Sequence, residues 1–396
     1  MTIHELVASL EPEINTIREQ IHENPELGLK EYNTSALIEK ELRAKTHVDR
    51  IEHIGETGLL VEIKGTKPGT AHCIALRGDM DALPIKEDES HELRSRTDGI
   101  MHACGHDVHT SILLGAVRVL EHYRNQIAGS ILFFFQPSEE TLQGGKLFAE
   151  SPKIDFHTID GVAALHVTPD LCAGKIGVRY GAILGSSDEL TITVKGKGGH
   201  GAHPDTVIDP ILLAAQIVQA LQMLVSRELA ADESGVVSLC SIQGGNAFNI
   251  IPDSVVLKGT IRALDPKVRE HILKRIPEIC KGIAVAGRGD AEVNIKLGPP
   301  PLVSDSQWVD RVKRCGSKLL GHENVIELAH PSMGAEDFAF VMEKAPGVFV
   351  RFGSRSEGGP YGGLHSPHFY CDRKALTTGI LTLAGIALDF FDVDFE

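Results

Sequence analysis

The sequence predicts an α/β protein: a catalytic α/β sandwich domain interrupted by a smaller, inserted α+β domain. Three observations carry this expectation. Short, nearly continuous apolar runs, HCIALR (72–77), SILFFF (130–135) and GVAALHV (161–167), read as strands buried on both faces, with helix-period stripes between them. The texture changes near Leu184, after which ELTITVKGKG (189–198) alternates as a half-exposed strand does. GPPPLV (298–303) then punctuates the chain as a linker would, and the α/β texture resumes.

The elements follow in order. Ile14, Ile17 and Ile21 recur at helical spacing, with Pro12 read as tolerable near the helix start. Ile112, Leu113, Ala116, Val117 and Leu120 form the apolar stripe of a helix that begins near His106. In the inserted block, residues Ile208 to Val225 and roughly Val268 to Val285 are helical in pattern. GVVSLCSI (235–242) and SVVLKGTIRAL (254–264) read as strands, which makes a strand-helix-strand-strand-helix unit. GVFVRFG (347–353) is a further strand, and a last helix starts at about Arg373. The expected division is 1–184 with 298–396 for the catalytic domain and 185–297 for the insert.

Composition narrows the function classes. A chain of 396 residues is long for one ordinary core, and 42% hydrophobic residues argue against disorder. The net charge of −15 disfavours nucleic acid and anionic membranes as partners and leaves a small-molecule substrate as the expectation. MTIHELVASLEPE lacks a basic segment followed by an apolar one and does not read as a signal peptide. No run reaches the roughly 18 apolar residues a membrane helix needs, so no membrane span is expected. Cysteines at 73, 104, 172, 240, 280, 315 and 371 form an odd, scattered set that fits a reducing cytoplasm.

Several segments end a strand or enter a helix with side chains able to bind metal. LRGDMDALP (76–84) offers Asp79 and Asp81, and MHACGHDVH (101–109) offers His102, Cys104, His106, Asp107 and His109. FFFQPSEE (133–140) ends in Glu139 and Glu140, ALHV (164–167) carries His166, and GLHSPHF (363–369) carries His365 and His368. Ligands at the carboxyl ends of several strands converge at the crevice of an open α/β sheet. Each must present a lone pair, as carboxylate, neutral imidazole or thiolate. Adjacent carboxylates serve both needs of a hydrolase, one holding metal and the other accepting a proton from water. Singly the segments have plainer explanations: His166 as a hydrogen-bonded core residue, Asp79 and Asp81 as a strand-to-turn transition, Glu139 and Glu140 as the start of a helix. HACGHDVH is much harder to explain that way, and together the segments point to a metal centre.

The motifs resemble the aminoacylase and carboxypeptidase group of two-metal hydrolases, and within it the amidohydrolase branch of hippurate and indole-acetyl-amino-acid hydrolases. HENPELG (22–28), LRGDMDALP, MHACGHD, QPSEE, ALHV, GGHGAHP (198–204), NIIPD (249–253), GTIRA (259–263), GAEDFA (334–339) and LHSP (364–367) carry the resemblance in family order across nearly the whole chain. Gly78 departs from it, where the branch has Ala. The resemblance implies metal ligands at Cys104, His106, Glu140, His166 and His365, with Cys104 bridging two divalent ions per subunit, Mn²⁺ or Zn²⁺, with Co²⁺ and Ni²⁺ also admitted. It implies a general base at Glu139 and a supporting carboxylate at Asp81. It casts the insert as a lid and dimerisation domain of a homodimer, with His200 reaching the partner's site and Asn249 and Arg262 binding the carboxylate of the amino-acid product. His102, His109, His203 and His368 are left with hydrogen bonding to ligands, and Glu336 and Asp337 with a place near the site.

The expected activity is hydrolysis of N-acyl amino acids. A dipeptidase or aminopeptidase with the same site is the nearest alternative, but no carboxylate in the sequence is evidently devoted to a free α-amine. A metal-binding scaffold has no use for Glu139, and no GxSxG elbow supports a serine hydrolase.

Overall fold

Eight strands form the central sheet of the larger unit, in the order Arg50–Ile54, Gly58–Lys64, Gly129–Gln136, His72–Asp79, Gly161–Cys172, Gly347–Arg355, Ile176–Val178 and Val325–Glu327. The computed structural model describes residues 1–395. Its larger unit comprises Met1–Gly181, Val303–His330 and Asp337–Glu396, and its smaller one Ala182–Leu302 with Pro331–Glu336.

The middle of the sheet is parallel: His72–Asp79 pairs with Gly129–Gln136 on one side and Gly161–Cys172 on the other, and Gly161–Cys172 pairs with Gly347–Arg355. Continuous apolar sequence produces this arrangement because both faces are covered. Phe133 and Phe135 enter the main core with the helices Ile3–Glu23, His106–His122 and Lys374–Phe390. Phe134 points the other way and meets Phe148 of the helix Gly144–Ala149, ring centroids 5.1 Å apart. Parallel strands put several carboxyl ends along one edge, which is where the metal-capable motifs sit.

The first helix starts earlier than Pro12 suggested. It runs Ile3–Glu23 from a capping box in which Thr2 Oγ1 accepts from the Glu5 amide and Glu5 accepts from the Thr2 amide. Pro12 is therefore interior. The helix passes through it because Ile3, Leu6, Val7, Ile14, Ile17 and Ile21 are all buried, and that burial outweighs the one main-chain bond a proline removes.

The smaller unit has an antiparallel sheet in the order Gly235–Gln243, Ser254–Ala263, Asp188–Lys195 and Asp290–Lys296. Helices Pro210–Met223 and Pro266–Ala286 each begin with an Asp cap followed by Pro: Asp209 accepts from Ile211 and Leu212, Asp265 from Lys267 and Val268. Their apolar faces meet Leu190, Ile192, Leu257 and Ile261 in one core. The strand Asp290–Lys296 was not anticipated, since only Ala291, Val293 and Ile295 alternate among polar residues on an edge. Residues 331–336 also belong to this unit, although the sequence placed them in the catalytic domain. Ser332 pairs with Leu184, its amide donating to Ile183, and the Gly185 amide donates to Gly334.

One sequence expectation needs correction. The 19-residue helical stretch Pro210–Glu228 is long and apolar enough, by length and composition, to cross a membrane. Its glutamines break up the apolar run without adding charge. Leu213, Ala214, Ile217, Leu221 and Leu224 are nevertheless buried in the core of the smaller unit.

Candidate metal centre

Four chain segments reach one point because of the parallel strand order. His72–Asp79 delivers Asp79 and, after one residue, Asp81. Gly129–Gln136 delivers the turn Pro137–Ser138–Glu139–Glu140, and Gly161–Cys172 carries His166. The helix His106–His122 begins at Gly105, whose φ of +77° favours glycine; a Cβ there would stand 2.7 Å from Val167 Cγ2. Gly78 marks an equally tight approach, since a Cβ would lie 2.8 Å from the His109 carbonyl oxygen. The fifth contributor, His365, has φ of 57° and is tied by its amide to the Ala103 carbonyl at 2.9 Å.

The candidate ligand atoms form overlapping clusters. Those of Cys104, His106 and His166 lie within 4.8 Å of one another, as do those of Cys104, Glu140 and His365, and those of His106, Glu139 and Glu140. Cys104 belongs to the first two clusters, so its sulfur stands between an imidazole pair and an imidazole–carboxylate pair. Cys104 Sγ is 3.4 Å from His166 Nε2, and Glu140 Oε1 is 3.3 Å from His365 Nε2 and 3.9 Å from His106 Nε2.

The residues fit a bound cation. His106 Nε2 and Glu140 Oε1 are buried yet lack a hydrogen-bond partner among the described residues. Buried polar atoms are almost always satisfied, and a metal ion facing both would satisfy them. Charge in the cluster points the same way. Burial pushes the Cys104 thiol up, against the pull of His106 and His365. Burial also opposes charge on His106, but Asp79, Asp81 and Cys104 raise it well above the usual imidazole range. Cys104 and Glu140 lift His365 to about 10, while burial, His109 and Arg351 hold His166 well below its ordinary value. For Glu140 burial is outweighed by His365 and His106, which keep its carboxyl low. Protons thus balance a carboxylate-rich pocket that a cation can balance instead.

Asp81 ties these parts together. Its Oδ1 is 3.2 Å from His106 Nδ1 and accepts from the Glu139 amide at 3.0 Å; its Oδ2 accepts from the Glu140 amide at 3.1 Å. One carboxylate therefore orients a candidate ligand and both adjacent glutamates. Glu139 is buried beside Glu140 without belonging to either cluster that contains Cys104.

Behind this layer lie Arg77 and Gln136, which the sequence did not single out, together with His109. Arg77, fully buried, donates to Gln136 at 2.9 Å, to Asp79 at 2.5 Å and to Asp337 at 3.3 Å. His109 Nδ1 meets Asp79 Oδ1 at 2.6 Å, and its Nε2 accepts from the Val167 amide. The available signal was the lone Arg in an otherwise apolar strand, since a buried charge requires partners. Of the other histidines, His102 hydrogen-bonds to no candidate ligand: both ring nitrogens are buried without a hydrogen-bond partner among the described residues, and burial takes it down to about 3. His368 pairs with Asp88 and is exposed, so hydrogen bonding to ligands does not describe it either. Proximity in sequence misled here, because neighbouring side chains leave the turn in different directions. Asp337 joins the Arg77 network, whereas Glu336 falls in the smaller unit.

A second buried chain of charges fixes the start of the His106 helix. Asp107 Oδ2 accepts from Arg18 at 2.7 Å and meets His22 Nδ1 at 2.9 Å; His22 Nε2 then meets Glu87 Oε1 at 3.0 Å. Burial would raise the Glu87 carboxyl, but His22, Ser95 and His91 bring it down to about 2. A lowered folded pKa adds stability above the ordinary value of 4.5, and this is lost as pH falls toward 2. The urea-midpoint difference between wild type and Glu87→Gln is thus expected to be widest above pH 4.5 and to close toward pH 2. A difference constant across that range would remove the role of the ionised carboxylate.

The remaining candidates lie in the smaller unit. His200 is exposed on the two-residue strand Gly199–His200, opposite Ile250, and its ring is 5.3 Å from that of His203. The Gly201 amide donates to the Asn249 carbonyl at 2.9 Å, which sets Asn249 next to His200. Arg262 is half-buried on Ser254–Ala263, and its side chain makes no hydrogen bond or ion pair among the described residues. Burial lowers its pKa and Asp188 opposes this.

Comparison with known proteins identifies the family. The description of peptidase family M20/M25/M40 matches residues 75–389. The IAA-amino acid hydrolase ILR1-like 2 of Arabidopsis thaliana is 38% identical over 378 residues, covering 94% of this chain and 84% of that one. The N-acetyl-L-cysteine deacetylase of Bacillus subtilis strain 168 is 37% identical over 370 residues, covering 93% and 86%. Among solved structures, a dinuclear metal binding peptidase of the M20 family from Bacillus subtilis superposes with a TM-score of 0.84 at 31% identity, over 98% of this chain and all of that one. With family match, near-full-length relatives and a cation-ready cluster in agreement, this chain belongs to peptidase family M20/M25/M40 and is a metal-dependent amidohydrolase.

Proposed function

We propose that the protein cleaves the amide bond of N-acyl amino acids, releasing a carboxylate and a free amino acid, with two divalent cations in each subunit. The observation that carries this reading is the sharing of Cys104 between two ligand clusters, with Glu139 beside Glu140 but outside both of them. Relatives named for N-acetyl-L-cysteine and for IAA-amino acids support the substrate class. A thiolate among imidazoles favours Zn²⁺, while the carboxylates admit Mn²⁺, with Co²⁺ and Ni²⁺ as further candidates.

The cations, when bound by Cys104, His106, Glu140, His166 and His365, supply Lewis acidity that acidifies water and polarises the scissile carbonyl. Glu139 takes the proton from the attacking water and returns it to the leaving nitrogen. Asp81 holds Glu139 and Glu140 through their amides and holds the His106 ring. His200 steadies the carbonyl oxygen as it gains charge. Arg262, whose guanidinium has no hydrogen-bond partner among the described residues, binds the free carboxylate through its planar fork, aided by Asn249.

We also infer a homodimer formed through the smaller unit. The strand Gly235–Gln243 is outermost in its sheet, and Leu212, Ile242, Phe248 and Ile250 expose apolar surface. Seven free cysteines support a reducing, cytoplasmic setting, and the net charge supports a small-molecule rather than nucleic-acid or membrane partner.

The test is chelation, followed by restoration with Zn²⁺, Mn²⁺, Co²⁺ or Ni²⁺ and assay of N-acetyl and N-benzoyl amino acids beside dipeptides. Activity should vanish, return with metal and favour the N-acyl series; preference for dipeptides bearing a free α-amine would select the peptidase alternative. In the same assay Arg262→Ala should raise KM for N-acyl amino acids about ten- to hundredfold, the loss of about 1.5–3 kcal/mol from a charged hydrogen bond. An unchanged KM would remove the carboxylate role.

A further inference from the structure

The motif HENPELG and the residues that follow it contribute no metal ligand and no base, yet they touch the residues that flank or support them. His22 holds Asp107 at the start of the His106 helix. Leu27 pairs with Ala82, and the Ala82 amide donates to the Glu26 carbonyl at 2.8 Å, which fastens the chain beside Asp81. Glu26 accepts from the amides of Asn33 and Thr34 and so pins the helix Tyr32–Lys45. Gly28 lies directly under the site: a Cβ there would stand 2.8 Å from Ser138 Oγ and 3.3 Å from Asp81 Oδ2.

Glu31 completes this segment. Its side chain is fully buried and accepts three hydrogen bonds. Oε1 takes the Leu29 amide at 3.0 Å and the Ser138 amide at 2.9 Å, and Oε2 takes the Thr57 hydroxyl at 2.7 Å. Both amides belong to residues in the left-handed region, Leu29 with φ of 60° and Ser138 with φ of 57°. A residue other than glycine persists there only when its surroundings hold it. Ser138 immediately precedes Glu139, so its backbone direction decides where Glu139 and Glu140 point.

We propose that Glu31 is a positioning residue for hydrolysis: by accepting the Ser138 amide it holds the left-handed turn that aims Glu139 at the attacking water and Glu140 at the metal. The segment 22–31 is then a clamp across three separate parts of the centre. Asp81 holds the same turn from one side, through the amides of Glu139 and Glu140; Glu31 holds it from the other. This inference rests on the assignment of Glu139 as base, so the experiment measures both.

Glu31→Leu, Glu31→Gln and Glu31→Leu with Ser138→Gly are assayed beside Glu139→Gln, each with metal content and folded fraction determined. Glu31→Leu should lower kcat about 30- to 100-fold with KM changed less than about threefold, as expected when a catalytic group is displaced by about 1 Å. Glu31→Gln keeps an acceptor oxygen for both amides and should retain activity within about threefold of wild type. Ser138→Gly in the Glu31→Leu background should recover about fivefold or more in kcat, because glycine holds a positive φ without support. A role confined to packing predicts no such recovery and no split between kcat and KM.

Wild-type kcat in Glu31→Leu, or a loss no larger than the loss of folded, metal-loaded protein, overturns the proposal. Failure of Ser138→Gly to restore turnover overturns it as well. If Glu31→Leu does not fold, Thr57→Val decides: a kcat about three- to fivefold lower at full metal content supports the clamp, on the scale of one lost hydrogen bond, and an unchanged kcat overturns it. An active Glu139→Gln strikes the base assignment instead, whereas an inactive one with unaffected Glu31 variants strikes the clamp alone.

Discussion

Glu139→Gln is expected to keep its metal and lose about 10²–10⁴-fold in kcat, the usual contribution of a positioned proton-transfer group. The substitution preserves size and leaves the main chain untouched, so the Glu139 amide still donates to Asp81 Oδ1 and the Glu140 amide to Asp81 Oδ2. Glu140, which lies with Cys104 and His365, is unchanged, and metal content by elemental analysis should match wild type. KM should change little, because an amide in place of the carboxylate removes a step rather than a substrate contact. Near-wild-type turnover would show that the proton leaves by another route. Loss of metal together with turnover would make Glu139 a ligand.

Cys104→Ser should have the broader effect, lowering metal content and activity together. Cys104 is the one residue common to the His106–His166 and the Glu140–His365 clusters, so exchanging its sulfur for a poorly ionising hydroxyl weakens both halves at once. We expect occupancy to fall from two ions toward one or none after dialysis, and kcat to fall at least about 10²-fold, since an open two-ion site supplies most of the electrostatic stabilisation. Cys371→Ser serves as the control and should retain both ions. It is a partly buried cysteine outside the clusters, with burial pushing its thiol to about 12. A Cys104→Ser protein that held two ions as tightly as wild type would exclude the bridging role.

Both expectations concern residues legible in the sequence, and the reason is local. Cys104, His106, Glu139 and Glu140 sit within short motifs whose chemistry is unusual for a loop. The strands behind them announce themselves by unbroken apolar runs, and the His106 helix by its stripe from Ile112 to Leu120. His166 and His365 were weaker in isolation, one inside an apolar strand and the other in a glycine-rich loop. Only family resemblance marked them as ligands. Local signals failed where the surroundings overrode them: Pro12 lies inside a helix whose buried face carries it, and Asp290–Lys296 is a strand despite mostly polar residues.

By itself the sequence determined the α/β class, the existence of an inserted unit and the residue types available for metal and proton chemistry, because hydrophobic period and ligand chemistry are properties of neighbouring residues. What neighbouring residues could not determine was which side chains face which. His102 and His109 flank the same turn, yet one has no partner and the other buttresses Asp79 and the Val167 amide. Glu31 carries no local signal of a role, and only the fold buries it against Ser138, 107 residues away. Those outcomes depend on the parallel register that sets His72–Asp79 between Gly129–Gln136 and Gly161–Cys172. Such long-range pairing is fixed by burial of the whole sheet rather than by any local pattern, and only the tertiary structure decides it.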